Sequence, residues 1–364
     1  MILMNDFKAE PQSLKNEMNL AVQRVIDSGW FILGKEVENF EGEFALACSL
    51  PYAVGVGNGM DAIEIILRAL DIGPGDEVIT TSMTAFATVL AITRAGATPI
   101  LADIDAHTGI MSLESARRCL SKKTKALVLV HLYGQINKPN DWVNFCKENS
   151  IFFIEDCAQS HLAQSGSVVA GGFGVAGAYS FYPTKNLGAL GDGGMLVTSN
   201  KTIYEKALKL RNYGQSERYH HPILGLNSRL DEIQAAILGV RLKLLMDFTL
   251  RRRQIAKQYF DGITNPKITL LAPPNLASEH VYHLFVILCD DRDALMNHLK
   301  VNDIQSLSHY PVPIHMQPPC LKLGRDPIGL KASEKHAKSC LSIPCHPQMS
   351  DDDVSKIIQT LNSF

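Results

Sequence analysis

From Tyr52 to Ser199 the chain alternates short, continuously apolar runs with amphipathic segments, and this alternation admits few architectures. The runs Tyr52–Val56, Glu77–Thr80, Thr98–Ile104, Ala126–Leu132, Ile151–Glu155, Ala178–Phe181 and Met195–Ser199 have the length of strands. Between them Asp61–Ala69, Ala85–Ala95 and Leu113–Leu120 carry helical spacing. Strands that are apolar on both faces need cover on both, so the pattern predicts an α/β domain with helices on either side of its sheet. Two amphipathic helices are expected before it, Gln12–Ser28 (ended by Gly29) and Lys35–Cys48. After Leu238 one long helix is expected through Arg251–Arg253 to Phe260, then a strand over Val281–Cys289 and helices over Asp291–Val301 and Asp351–Leu361. At 364 residues the chain exceeds what one hydrophobic core usually serves. The expected division is a large α/β domain over 1–250 and a smaller α+β domain over 251–364.

The formal net charge of -2 offers no basic field for nucleic acid or anionic lipid, so a small-molecule partner is expected. Asp6, Lys8 and Glu10 fall where a signal peptide needs its apolar region, and no apolar run reaches the roughly 18 residues of a membrane span. The eight cysteines contain no CxxC pair. Cys340, Cys345 and His346 have no second cluster to complete a metal site, so the expectation is no metal and reduced, mostly buried thiols in a cytoplasmic protein.

Three segments carry candidate chemistry. Lys185 lies in Ser180-Phe-Tyr-Pro-Thr-Lys185-Asn-Leu-Gly-Ala-Leu-Gly-Asp-Gly-Gly194, after a strand that Pro183 must stop. Strand ends are where α/β proteins place ligands, and a lysine that is desolvated there is a usable amine nucleophile. Taken alone it also reads as a surface lysine in a loop. Asp156 closes the apolar run Ile151-Phe-Phe-Ile-Glu155. A carboxylate at a buried strand end needs a partner, which a pyridinium nitrogen would supply; the same residue also fits a helix N-cap. Gln159 follows three residues later, at ring-contact or capping-box spacing. Gly55-Val-Gly57-Asn58-Gly59-Met60-Asp61 joins a strand to a helix, a geometry that suits phosphate but not the GxGxxG spacing of a dinucleotide site.

With these, Val78-Ile-Thr-Thr-Ser82, Val130-His-Leu-Tyr-Gly-Gln135, Ile154-Glu-Asp156-Cys-Ala-Gln159 and Gly225-Leu-Asn227-Ser-Arg229-Leu-Asp231-Glu232 form one ordered set. It resembles the DegT/DnrJ/EryC1/StrS family of sugar-nucleotide aminotransferases, from the opening helix through His309-Tyr-Pro-Val-Pro-Ile-His315 to Pro344. The resemblance implies the aspartate aminotransferase type of fold, with a mostly parallel seven-stranded sheet, and pyridoxal 5′-phosphate (PLP) as cofactor. It makes Lys185 the Schiff-base lysine, sets Asp156 on the pyridine nitrogen and Gln159 against the ring, and gives the phosphate to Ser180 with the backbone of Gly59, Met60 and Asp61. Asn227 would reach a phosphate in a neighbouring subunit, implying a homodimer with shared active sites. His309, Tyr310 and His315 align with a segment near the sugar, and His161 reads as structural or near the substrate, without a proton-transfer role. Met60 stands where family members often have a hydroxyl. Thr84-Ala85-Phe86 moves the usual stacking aromatic one place along, which makes Phe86 the candidate to cover the ring.

The expected activity is amino transfer, with glutamate as donor, to a nucleotide-linked keto-sugar in polysaccharide or amino-sugar biosynthesis. A family dehydratase commonly has histidine at the lysine position, so Lys185 favours transamination. A noncatalytic PLP- or sugar-binding regulator is the alternative of a different kind. A nicotinamide dehydrogenase would leave Lys185 and Asp156 unexplained.

Overall fold

A computed structural model describes residues 1–364. The apolar runs become β1 (Tyr52–Val56), β2 (Glu77–Thr81), β3 (Thr98–Ala102), β4 (Thr124–Val130), β5 (Phe152–Asp156), β6 (Ala176–Ser180) and β7 (Gly194–Thr198). They form one sheet in the order β1-β7-β6-β5-β4-β2-β3, in which β7 alone runs against its neighbours. An eighth, two-residue strand, Gly324–Arg325, adds parallel to β3 at the edge. Its two residues carry no strand pattern, so nothing local announces it.

Ahead of the sheet run α1 (Gln12–Ser28) and α2 (Lys35–Ala47); α3 (Gly59–Ala69), α4 (Phe86–Arg94), α5 (Leu113–Arg118) and α6 (Pro139–Glu148) join its strands, and α7 (Lys201–Leu210) follows β7. Side chains alternate along each strand, so one face of the sheet takes Val128, Ile154 and Ala178 and packs them on Ile63, Ile66, Ile92 and Ala207. The other face takes Leu127, Leu129 and Phe153 against Trp142 and Phe145. There Phe44 of α2 meets Tyr179 edge-on, with ring centroids 5.0 Å apart. Both faces are covered, as continuous apolar strands require.

The single long helix expected after Leu238 is two, α8 (Glu232–Leu242) and α9 (Leu245–Gly262). Their halves serve different cores. Ala236 and Ile237 of α8 pack on Leu14, Ala21 and Val25 of α1. Ile255, Ala256 and Tyr259 of α9 join Leu295, Leu299, Val354, Ile357 and Leu361, from α10 (Arg292–Val301), α12 (Asp351–Asn362) and the strand Phe285–Leu288 between them and α9, which adds Phe285 and Ile287. Helix α11 (Lys331–Ser339) runs directly into Cys340–Ile343, which pairs antiparallel with Phe285–Leu288. The expected strand Val281–Cys289 shortens to Phe285–Leu288, because the N–H groups of Val281 and Leu284 go instead to the carbonyls of Gly134 and Tyr133 at 3.0 and 3.4 Å.

Several ties join this second core to the rest. One is α9. A second is the chain's start: the Ile2 N–H donates to the Asp303 carbonyl at 2.7 Å, and Gln305 N–H returns a bond to Ile2 at 2.9 Å. A third is Gly324–Arg325 on β3, followed by Asp326, which accepts from Arg118 at 2.6 Å and Ser115 at 2.5 Å. No helix is long and apolar enough to cross a membrane.

Candidate active site

The C-terminal ends of β1, β5 and β6 meet at one edge of the sheet, where open α/β sheets bind ligands. The turn from β1 into α3 lies directly on the end of β6. A Cβ on Gly59 would stand 2.7 Å from Ser180 Cβ, and one on Gly194 would stand 2.3 Å from the Asn58 carbonyl carbon. Only glycines permit this approach, which brings Ser180 under the first turn of α3. The opening N–H groups of a helix have no acceptor within it, so those of Gly59 and Met60 face the cradle as donors. Asp61 departs from expectation. Its N–H is capped by Asn58 Oδ1 at 2.9 Å, and its carboxylate accepts from Ser228 at 2.7 Å and Arg94 at 3.1 Å. Asp61 thus holds the cradle's wall, tying α3 to the 212–229 segment.

Lys185 sits on a turn that closes on itself: its N–H donates to Tyr182 O at 2.8 Å, and Ala189 N–H donates to Phe181 O at 2.8 Å. The side chain is half-buried. Burial lowers its ammonium to about 8, and the charge of Asp156 opposes the shift. Asp156, buried at the end of β5, accepts from Thr88 Oγ1 at 2.8 Å and from Ala158 N–H at 3.1 Å. Burial raises its carboxyl above the usual range, although Thr88, Ala158 N–H and the charge of Lys185 pull it down. It is a carboxylate still short of a cation.

Gln159 reaches both ways: its Oε1 accepts from Tyr133 N–H at 2.6 Å and its Nε2 donates to the Tyr310 hydroxyl at 3.4 Å. Burial pushes Tyr310 up to about 12, and Asp156 is the first charge acting on it, so the two share the site. His309 lies there too; burial, then the charge of Lys185, lowers it to about 4, and its Nδ1 meets Ser342 Oγ at 2.9 Å. His315 does not join them. It is buried, with Nδ1 on Ser82 Oγ at 2.7 Å and Nε2 on Glu334 at 3.2 Å, so both nitrogens are spent within the chain and none faces a sugar. Phe86 opens α4, is 40% exposed and pairs with no other aromatic ring of the chain. Asn227 is exposed, while its neighbour Ser228 turns inward to Gly57 N–H and Asp61. It therefore contributes nothing to this chain's own cradle.

Residues that sequence reasoning missed fill the gaps. Thr88 is the hydroxyl that orients Asp156, and its spacing from Ala85-Phe86 carried no signal of that contact. Asn186 and His283 come together behind Lys185 across 97 positions. His161 donates from Nε2 to the Ser180 carbonyl at 2.9 Å, and burial lowers it to about 3. It is a neutral brace under the cradle.

Two other features lie apart from this chemistry. A cavity of about 780 Å³ is lined by Arg24, Trp30, Glu38 and Tyr204 and holds none of these groups. His131, Glu155 and Cys157 converge like metal ligands, but Glu155 already accepts from His131 Nε2 and from the N–H groups of Gly171, Phe173 and Gly174 at 2.8–2.9 Å.

The model of the DegT/DnrJ/EryC1/StrS aminotransferase family matches residues 12–362. The chain belongs to that family. It is 40% identical to the dTDP-3-amino-3,6-dideoxy-alpha-D-galactopyranose transaminase of Aneurinibacillus thermoaerophilus, over all of this chain and 99% of that one. It is 38% identical to the pleiotropic regulatory protein of Geobacillus stearothermophilus, over 99% and 98% of the two. Its fold superimposes on DesV of S. venezuelae, solved with a ketimine intermediate, with a TM-score of 0.96 at 37% identity over 100% and 98% of the two chains. A pyridoxal-type cofactor is bound in a solved relative of the fold. The fold class expected from the resemblance is the one observed, and the chain is an aminotransferase of the sugar-biosynthetic kind.

Proposed function

We propose that the chain moves an amino group from glutamate to a keto-sugar carried on a nucleoside diphosphate, with PLP held at Lys185. The observation that carries this reading is the meeting of three unlike parts. They are a cradle that a Cβ would fill, a buried carboxylate short of a cation, and an amine brought down to about 8. PLP fits all three, through phosphate, pyridine nitrogen and aldehyde. When bound, it supplies an electron sink that lets an amine's α-proton leave. The chain's own residues do the rest. Gly59 and Met60 N–H with Ser180 Oγ bind the phosphate. Asp156, oriented by Thr88 and Ala158 N–H, keeps a proton on the ring nitrogen. Lys185 Nζ, partly free base near neutral pH, takes a proton from the donor's α-carbon and returns it. Gln159, which bonds Tyr310, would lie against the ring, and Phe86 is the candidate to cover it. His309 is the group set to meet the sugar.

The same reading keeps residues 1–250 as the cofactor-binding unit and 251–364 as the small one, and sets the enzyme in the cytoplasm. It takes the working form as a homodimer with shared sites. Tyr219 at 81%, Leu224 at 91% and Trp30 at 63% exposure are large apolar side chains lacking cover in one chain, and exposed Asn227 lies in the same 212–229 segment as two of them.

A visible cofactor band bleached by glutamate, with 2-oxoglutarate released when a nucleotide keto-sugar is added, is the expected result. Lys185→Ala should abolish both bleaching and turnover. Full turnover in that variant would end the proposal. The relative named as a regulatory protein favours one second reading, a noncatalytic PLP or sugar binder. Bound PLP that no amino donor bleaches would support it.

A further inference from the structure

Tyr133 lies in the turn after β4 with a φ of 63°, in the left-handed region that a ring-bearing residue adopts only where its surroundings require it. Here the surroundings are bonds at opposite ends of the one residue. The backbone N–H donates to Gln159 Oε1 at 2.6 Å, and the buried hydroxyl donates to the His309 carbonyl at 2.6 Å. Gln159 Nε2 in turn donates to the hydroxyl of Tyr310, the residue after His309. These contacts close a circuit through Tyr133, Gln159, Tyr310 and His309. Its first two members follow β4 and β5; its last two belong to the segment beside Cys340–Ile343, where Leu307 and Ser342 exchange backbone bonds at 2.7 and 3.1 Å.

Helix α11 sets the direction of the hydroxyl. His336 Nε2 lies 2.9 Å from Tyr133 Oη. A phenol has one hydrogen and a carbonyl only accepts, so that hydrogen goes to His309 O and the His336 Nε2–H donates to the phenol oxygen. His336 Nδ1 is then a sealed lone pair without a partner. The other tautomer would bury an unpartnered N–H there and set two lone pairs face to face.

We propose that Tyr133 is a positioning residue for the sugar half of the reaction: its hydroxyl, aimed by His336, holds His309 and Tyr310 in register with Gln159. The backbone bond to Gln159 serves both halves of the cycle, whereas the hydroxyl bond serves only the segment set to meet the sugar. Removing the hydroxyl alone should therefore separate the two halves. The inference rests on the reading of His309 as the group that meets the sugar, but the hold itself can be measured with no cofactor present.

The test is Tyr133→Phe in the full chain, read in two ways. In the cofactor-free chain, hydrogen exchange by mass spectrometry should run about tenfold faster in peptides covering 305–312 and be unchanged in β4 and β5. With PLP loaded, bleaching by glutamate should keep its rate within about twofold, while KM for the keto-sugar rises about tenfold and kcat holds. The keto-sugar used is the first that the wild type aminates from a panel of dTDP-, UDP- and GDP-linked keto-deoxyhexoses. His336→Gln, which keeps an N–H donor at similar reach, should stay with the wild type. His336→Leu should follow Tyr133→Phe by less, and it serves alone should Tyr133→Phe not fold. Unchanged exchange over 305–312 in whichever of these two variants folds, an unmoved KM, or equal losses in the glutamate and sugar halves would each overturn the proposal. The two readings fail separately. A wild-type chain that glutamate does not bleach ends the proposed function, whereas unchanged exchange in a chain that transaminates ends only this one.

Discussion

Glu155 and Asp156 are consecutive carboxylates at the end of one strand, and they do opposite work. Alternation along β5 sends them to opposite faces of the sheet. Glu155 meets His131 and three backbone N–H groups, so its charge is surrounded by donors that cannot leave. Asp156 has one hydroxyl, one N–H and a lysine nearby, which leaves room for a visiting cation. A buried charge saturated by its own chain is architecture; one left a partner short is available for chemistry.

Exchanging each carboxylate for its amide sharpens the contrast most. Asp156→Asn should cost about a thousandfold in kcat, on the order of 4 kcal/mol, with thermal stability nearly unchanged. Turnover within a factor of ten of wild type would erase the distinction. Glu155→Gln should do the reverse, costing about 3 kcal/mol in stability on denaturant unfolding while the folded fraction turns over normally.

Acid probes the site's side next. His161 titrates near 6.5 when unfolded and about 3 when folded. The unfolded chain therefore binds the extra proton, so this stability is complete above about 6.5 and lost as pH falls towards 3. At pH 5 the loss from His161 is about 2 kcal/mol, and His161→Phe should flatten the fall in melting temperature between pH 7 and pH 5. The smallest effect belongs to Thr88→Val, which removes one hydrogen bond to Asp156 and keeps the shape. It should lower kcat about fivefold to tenfold, roughly 1 kcal/mol, and a neutral result would mean Ala158 N–H orients the carboxylate alone.

The strands, and the placing of Lys185 and Asp156 near strand ends, were legible because their signals are local. Continuous apolar runs mark β1 to β7, and Lys185 and Asp156 each sit within a few residues of a strand end. What escaped depends on distance in sequence. Thr88 meets Asp156 across 68 positions, and His283 meets Asn186 across 97. His315 misled for the same reason: the family resemblance set it near the sugar, while Ser82, 233 positions away, claims its ring. The division between α8 and α9 was hidden because both halves are apolar at helical spacing and only their destinations differ.

The ties on the second core have a mechanical reading. A unit hung from α9 alone would swing like a door. With Ile2 stitched to Asp303 and Gln305, Asp326 clasped by Arg118 beside β3, and Ser333 held by Asp103, it is laced on several sides. Such a flap can rock, but it cannot swing wide without first undoing a seam. A fusion that buries or deletes the first four residues would cut one lace, and the loosened flap would carry His309 and Tyr310 with it.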